Sequence, residues 1–359
     1  MMNRKTFLKT LAAGTLGATM APTAWASPYS RSGPLKNWAW VRGDFGTMAP
    51  WKAKFARWKA AGIDAILPEV KSPETLARIV RAAGDEGLEV HAWVVTMMQG
   101  GFEAKHPEWY AVNRNGASTA EHPPYVAYYK FLCPCRASVR DYLARYIASF
   151  AQVDGVRSIH LDYIRYPDVI LPIALWPKYN LVQDREYPEY DYCYCAECRA
   201  QFAAKTGLDP LSLAHPSAND AWRQFRYDSI TRVVHRLAEV AHAANRQLTA
   251  AVFPTPAIAR RLVRQNWPKW PLDAVLPMLY HNFYNEPVSW LEGATREGVQ
   301  ALGGRIPLYA GLFVPALDPD ALAEAARRTL AGGAAGIALF EAQAPTAAHW
   351  QKLKPVLQS

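Results

Sequence analysis

Val153-Asp154-Gly155-Val156-Arg157-Ser158-Ile159-His160-Leu161-Asp162-Tyr163-Ile164-Arg165-Tyr166-Pro167-Asp168 is the stretch whose reading decides the fold. A turn at Asp154-Gly155 leads into an alternating run that predicts a buried strand, and Pro167, which has no N–H to give a ladder, stops it. Asp162 therefore falls at the strand's C-terminal end. In a (β/α)8 barrel that end carries the catalytic groups, so Asp162, with Arg165 and Tyr166 just beyond, is a candidate reaction centre. The competing role is a structural ion pair between Asp162 and Arg165.

Working outward, seven more apolar strands are expected, at 37–41, 63–67, 88–95, 247–253, 273–280, 305–311 and 336–340. Helices are expected between them. One spans 51–61 and stops at Gly62. Another is capped by Ser72 with Pro73 in its first turn, and its Leu76, Ile79, Val80 and Ala83 share one face. A stripe from Val139 to Phe150 precedes the Asp162 strand, and a long helix contains Trp222 to Val240. Asp318 caps a helix that Gly332-Gly333 ends, and a last one covers 346–357. The segments 96–136 and 169–210, after the third and fourth strands, are long enough to imply functional loops. This alternation predicts a single (β/α)8 TIM barrel over residues 35–359. A doubly wound sheet is the rival. It requires a Gly-rich phosphate turn after its first strand, which Arg42-Gly43-Asp44-Phe45-Gly46 matches poorly.

The 359 residues are half hydrophobic, enough to bury a sizeable core. Residues 1–26 read as a signal peptide: Arg4-Lys5-Thr6-Phe7-Leu8-Lys9, a Gly- and Ala-rich run, then Ala24-Trp25-Ala26. The charged run resembles a twin-arginine signal with Lys5 in place of the second arginine. A periplasmic or secreted protein is expected, with no stable membrane insertion after cleavage, because Gly14, Gly17 and Pro22 break a run already short for a span. The net charge of +9 becomes +6 once Arg4, Lys5 and Lys9 leave. The remaining cations are scattered along helices rather than gathered in a block, which argues against a nucleic-acid partner.

Polar and aromatic residues recur at the strand ends: Arg42, Glu69, Trp93, Asp162, Phe253, Tyr280, His281, Tyr309 and Glu341. Core packing has no need of such a set. Carboxylates and an arginine among aromatic rings suit a carbohydrate, whose apolar faces stack while its hydroxyls pair with charged groups. Glycoside hydrolysis needs two carboxyl groups flanking one bond. Asp162 is the first choice. Glu341 and Glu69 compete for the second role, Glu341 slightly ahead because the eighth strand faces the fourth across a barrel; Glu286 is a further alternative. Substrate contacts are expected from Arg165, Tyr166, Trp93, His91, Trp40, Tyr280 and His281. A non-catalytic carbohydrate-binding barrel is the competing function.

The segments Asp154-Gly155, His160 to Pro167, Val90-His91-Ala92-Trp93-Val94, His106-Pro107-Glu108-Trp109-Tyr110 and Pro277-Met278-Leu279-Tyr280 together resemble the glycosyl hydrolase-like 10 family of bacterial barrel proteins. The resemblance runs in order over most of the chain after residue 26. It implies the barrel and, less directly, a glycosidase, with Asp162 at the position the motif singles out.

Cys193-Tyr194-Cys195-Ala196-Glu197-Cys198 carries three close thiols that cannot all pair with one another, and Cys133-Pro134-Cys135 lies in the preceding long loop. A tetrahedral zinc takes three thiolates from one turn and a fourth from elsewhere. The cluster resembles the zinc-binding cysteines of the family 42 β-galactosidases, which implies Cys133, Cys193, Cys195 and Cys198 as ligands of a structural zinc. Cys135 is extra to that pattern and competes for the fourth place. The alternative is two disulfides and one free thiol. No organic cofactor is expected.

Overall fold

A computed structural model describes residues 35–358. The expected signal peptide lies outside the described residues.

Eight parallel strands alternate with helices. In chain order the elements are β1 (Trp38–Val41), α1 (Ala49–Ala60), β2 (Ala65–Pro68), α2 (Pro73–Gly84), β3 (Glu89–Val95), α3 (Ala137–Ala151), β4 (Ser158–Asp162), α4 (Ala196–Thr206), α5 (Asp220–Ala243), β5 (Gln247–Val252), α6 (Pro256–Val263), β6 (Ala274–Pro277), α7 (Trp290–Leu302), β7 (Tyr309–Phe313), α8 (Pro319–Ala331), β8 (Gly336–Phe340) and α9 (Ala347–Leu357). The strands pair in the order β6-β5-β4-β3-β2-β1-β8-β7. Parallel bridges Val275 to Leu308 and Met278 to Gly311 join β6 to β7 and bring the ring nearly to closure. This is a (β/α)8 TIM barrel.

The two-residue period of the strands decides what each side chain meets. Ile159 and Leu161 of β4 belong to the apolar layer between barrel and helices, as do Ala39, Val41, Ile66, Val90 and Val94. Trp38, Trp40, Leu67, Trp93 and Leu276 fill the barrel's interior. Ser158 and His160 share the inner face of β4, and the same alternation places Asp162 on that face at its upper end. The interior is partly polar, and several of its members bond one another: Trp40 Nε1 donates to His160 Nε2 at 3.1 Å, His160 Nδ1 bonds Thr249 Oγ1 at 2.9 Å, and His91 Nδ1 bonds Ser158 Oγ at 2.6 Å.

Local signals act as expected at several ends. Ser72 Oγ accepts the Thr75 N–H to cap α2, and Asp318 caps α8 through the Ala321 N–H. Gly155 turns the chain with φ of 79° where an added Cβ would meet Val80 at 2.7 Å. The seventh strand is shifted from the expected 305–311 to Tyr309–Phe313, because Ile306 to Leu308 form the approach to the strand after a turn at Gly303-Gly304. Helices α4, α6 and α7 were not expected individually. The rival doubly wound sheet is excluded by the ring of strands.

Candidate active site

Asp162 is the last residue of β4 and lines a cleft of about 210 Å³, open to solvent, above the barrel. The residue is 8% exposed. Trp93 Nε1 on β3 donates to Oδ2 at 2.9 Å, and the Tyr163 backbone N–H donates to Oδ1 at 2.7 Å. Burial pushes the Asp162 pKa above its ordinary 3.8, against the pull of those two donors and of Arg165 and Arg42. The acid is thus easier to keep protonated than a surface carboxyl.

The chain turns sharply after Asp162. Tyr163 has φ of 51°, a left-handed conformation that costs a bulky side chain about 1–3 kcal/mol and that clusters at functional sites. The turn carries Tyr163 and Arg165 to the cleft. Arg165 does not pair with Asp162. Its Nη1 donates to Asp168 Oδ2 at 2.7 Å and to the Tyr166 carbonyl at 3.0 Å, and its Nη2 to the Tyr129 hydroxyl at 3.1 Å. The structural ion pair therefore exists, with Asp168 as the partner, and Asp162 is held by neutral donors instead.

The remaining expected residues divide. Arg165 and Tyr280 line the cleft with Asp162. Trp93 holds Asp162 from below. Trp40 and His91 are buried inside the barrel, where they bond His160 and Ser158, and neither lines the cleft. Burial lowers the His91 pKa to about 4, so it is neutral near pH 7. Tyr166 is buried beside the cysteine cluster, and its pKa is raised by burial first and then by negative charge on the neighbouring cysteines. His281 is buried just past Tyr280 and is likewise outside the lining.

Glu69 pairs with Arg42, with Oε2 3.2 Å from Nε, and lines a neighbouring depression rather than the cleft. The pair holds the Arg42 guanidinium over the Trp93 and Phe340 rings, at 5.0 and 5.1 Å. Glu341 follows Phe340, which lines the cleft. Glu341 itself is not part of the lining, yet its Oε2 is buried with no hydrogen-bond partner among the described residues. Glu286 is exposed. In the ring order β8 does lie opposite β4.

Sequence reading missed Asp168, Tyr129, Phe283, Tyr284 and Phe313, all of which line the cleft. Asp168 stood within the opening stretch, three residues after Arg165, and its spacing was the available signal. Phe313 required the corrected bounds of β7. Tyr129 lies mid-loop, where no periodicity marks it.

Cys133, Cys193, Cys195 and Cys198 place four sulfurs within 4.8 Å of one another, all buried, and none forms a disulfide. Cys133 Sγ lies 3.5 Å from both Cys195 and Cys198 Sγ. Four thiolates at a Zn–S length of about 2.3 Å would stand about 3.8 Å apart, so the cluster fits a tetrahedral metal. Cys135 instead donates to Ser229 Oγ at 3.4 Å and lies outside the group of four. The disulfide alternative finds no bonded pair among the five cysteines.

No family profile matches this chain, and no curated protein matches its sequence. Solved structures do match its fold. The glycoside hydrolase domain of PgaB (BpsB) from Bordetella bronchiseptica superposes with a TM-score of 0.65 at 12% identity, over 90% of this chain and 99% of that domain. The catalytic domain of β-amylase from Paenibacillus polymyxa gives 0.60 at 12% identity, over 89% of this chain and 97% of that one. A catalytic mutant of a family 42 β-galactosidase from G. stearothermophilus gives 0.60 at 11% identity, over 90% of this chain but only 56% of the larger enzyme. The likeness is one of fold.

Proposed function

We propose that this protein is a secreted hydrolase of glycosidic bonds in an oligosaccharide or polysaccharide, with Asp162 as its acid. The observation that carries the reading is Asp162 itself: a carboxyl at the C-terminal end of β4, raised in pKa by burial and facing a cleft walled by Tyr280, Phe313 and Phe340. The fold likeness to glycoside hydrolases supports it. So does the motif resemblance to the glycosyl hydrolase-like 10 family, which is the finer grouping. The leader pattern in residues 1–26 supports export to the periplasm or beyond.

In this mechanism protonated Asp162 gives its proton to the glycosidic oxygen, the C–O bond breaks, and positive charge develops on the sugar ring. A second carboxylate either activates water or attacks the anomeric carbon. Glu341 is the proposed partner, on its orphan oxygen and its place after β8. Asp168 is the alternative, since it lines the same cleft, although Arg165 already balances its charge. Release of reducing ends from a glycan panel by wild type, Asp162→Asn, Glu341→Gln and Asp168→Asn tests the scheme. Asp162→Asn should lose at least about a hundredfold in kcat/KM, and a loss below about tenfold removes it from the reaction.

The neutralised Asp168 and Glu69 also favour a second reading, a carbohydrate-binding barrel without turnover. Sugar binding by wild type with no hydrolysis of any panel member would establish that reading instead.

The cysteine cluster is proposed to hold one structural zinc. Four thiolates close the coordination sphere, so the ion would brace the loops that carry Cys133 and Cys193 to Cys198 and leave no position for substrate.

A further inference from the structure

We infer that the glycan bound in this cleft carries an apolar alkyl or aryl group, seated on Leu171, Pro172 and Leu175. The inference rests on the glycosidase reading for the sugar part and adds an apolar substituent to it.

The cleft lining divides by chemistry. Asp162, Asp168, Arg42, Arg165, Tyr129 and Tyr163 supply charges and hydroxyls. Leu171, Pro172, Leu175, Met278, Phe283 and Phe313 supply none. Aromatic rings alone would suit sugar stacking, but leucine and proline side chains neither stack on a pyranose face nor bond a hydroxyl. A sugar residue pressed there would give up water and receive no partner.

The apolar surface also continues beyond the cleft. A second depression of about 290 Å³ shares Leu171, Pro172 and Tyr284 with it and runs on over Ile170, Ile173, Trp176, Ile258 and Leu262. Ile173 is 44% exposed at its edge. The polar residues in this depression are already engaged or stand at the rim. Gln183 Oε1 accepts the Leu171 N–H, and its Nε2 donates to the Tyr125 hydroxyl. Asp184 accepts the Tyr187 hydroxyl, and Arg261 is exposed. Trp176 Nε1 donates to the Leu171 carbonyl at 2.8 Å, so the Ile173–Leu175 turn is fixed in place rather than collapsed into the space. A continuous, largely apolar surface leads from the cleft that Asp162 lines to an exposed isoleucine, and its chemistry suits a short hydrocarbon chain.

The test is calorimetric binding to full-length Asp162→Asn protein, which separates binding from turnover. The probes are methyl, butyl, hexyl and octyl β-D-glucosides and β-D-galactosides, below their micelle concentrations, with the phenyl glycosides. Affinity should rise with chain length by up to about fourfold per methylene, and the octyl glycosides of either sugar should bind. Adding Ile173→Asn and Leu175→Asn together should flatten that rise, whereas Leu208→Asn, exposed and outside both depressions, should leave it unchanged. Equal affinities for methyl and octyl glycosides, no binding of the octyl compounds, or a rise that survives the double substitution would overturn the inference. Hydrolysis of glycans by wild type is scored separately. Turnover of oligosaccharides with no chain-length dependence of binding would sink the apolar seat and keep the hydrolase, and chain-length-dependent binding without any turnover would keep the apolar seat and sink the hydrolase.

Discussion

Asp162 gives both oxygens to neutral donors, Trp93 Nε1 and the Tyr163 N–H, and burial still wins by raising its pKa. If it is the acid, kcat/KM declines as pH rises through that elevated pKa, and Trp93→Phe, which removes a bond to the charged form, moves the decline to higher pH. A decline unmoved in Trp93→Phe would mean another group sets it. The same sign governs stability. A carboxyl whose folded pKa is raised favours the folded state at low pH and loses that contribution as pH rises through the folded value, so Asp162→Asn removes a cost at pH 7. One amide oxygen cannot serve both former donors, which offsets the gain, and the melting temperature should stay within a few degrees of wild type. His91 has the opposite pH behaviour. Its pKa falls from 6.5 to about 4, so its contribution is complete above pH 6.5 and is lost as pH drops toward 4, at a cost of about 3 kcal/mol. His160, also held well below its ordinary value by burial, adds to that loss. Denaturant titrations across pH 4–7 on wild type and His91→Asn measure it, and an identical slope in the two proteins would remove His91 from the account.

At the scale of elements, β4 and the turn behind it form one device. The strand sets Asp162 facing inward, Tyr163 reverses the chain, and the Arg165–Asp168 pair pins the return. Both members of that pair are buried, so Asp168→Asn leaves a guanidinium without its counter-charge and should cost about 3–5 kcal/mol of stability by denaturant titration. A cost under about 1 kcal/mol would show the pair to be solvated in practice. The cysteine loops are a second device. Metal analysis of protein purified without chelator should find about one zinc per chain, and stripping it should lower the melting temperature by at least about 5 °C. Metal-free protein with unchanged melting would end the zinc reading.

Across the whole molecule, the barrel depends on a seam between β6 and β7. Gly311 permits it, because a Cβ there would stand 2.6 Å from the Pro277 carbonyl and 3.3 Å from the Trp40 ring. Gly311→Val should therefore destabilise by at least about 1–3 kcal/mol, read as a lowered urea midpoint. A midpoint equal to wild type would mean that the seam can open at no cost. The ring also explains how interior polar residues find partners: His91, Ser158, His160 and Thr249 come from adjacent strands and bond one another. Among the described residues no helix is long and apolar enough to cross a membrane.

The local pattern was sufficient for the repeating architecture, because strand alternation and helix caps act over a few residues. β8 was expected at its observed bounds, Ser72 and Asp318 cap as their chemistry predicts, and Asp162 sits at the strand end that its stretch implied. A resemblance, rather than that pattern, grouped Cys133 with Cys193, Cys195 and Cys198, and the fold brings those sulfurs together. Pairing across the chain was beyond it. Strand parity alone does not reveal that Trp40 and His91 point into a filled barrel, that Arg165 turns to Asp168, or that Arg42 takes Glu69. Nor does it mark Tyr129, Phe283 or Leu175, which reach the cleft from loops whose course is set by contacts with distant residues. Periodicity is a property of neighbours along the chain. Which charge meets which, and which ring faces the cleft, is settled only when strands far apart in sequence close into one ring.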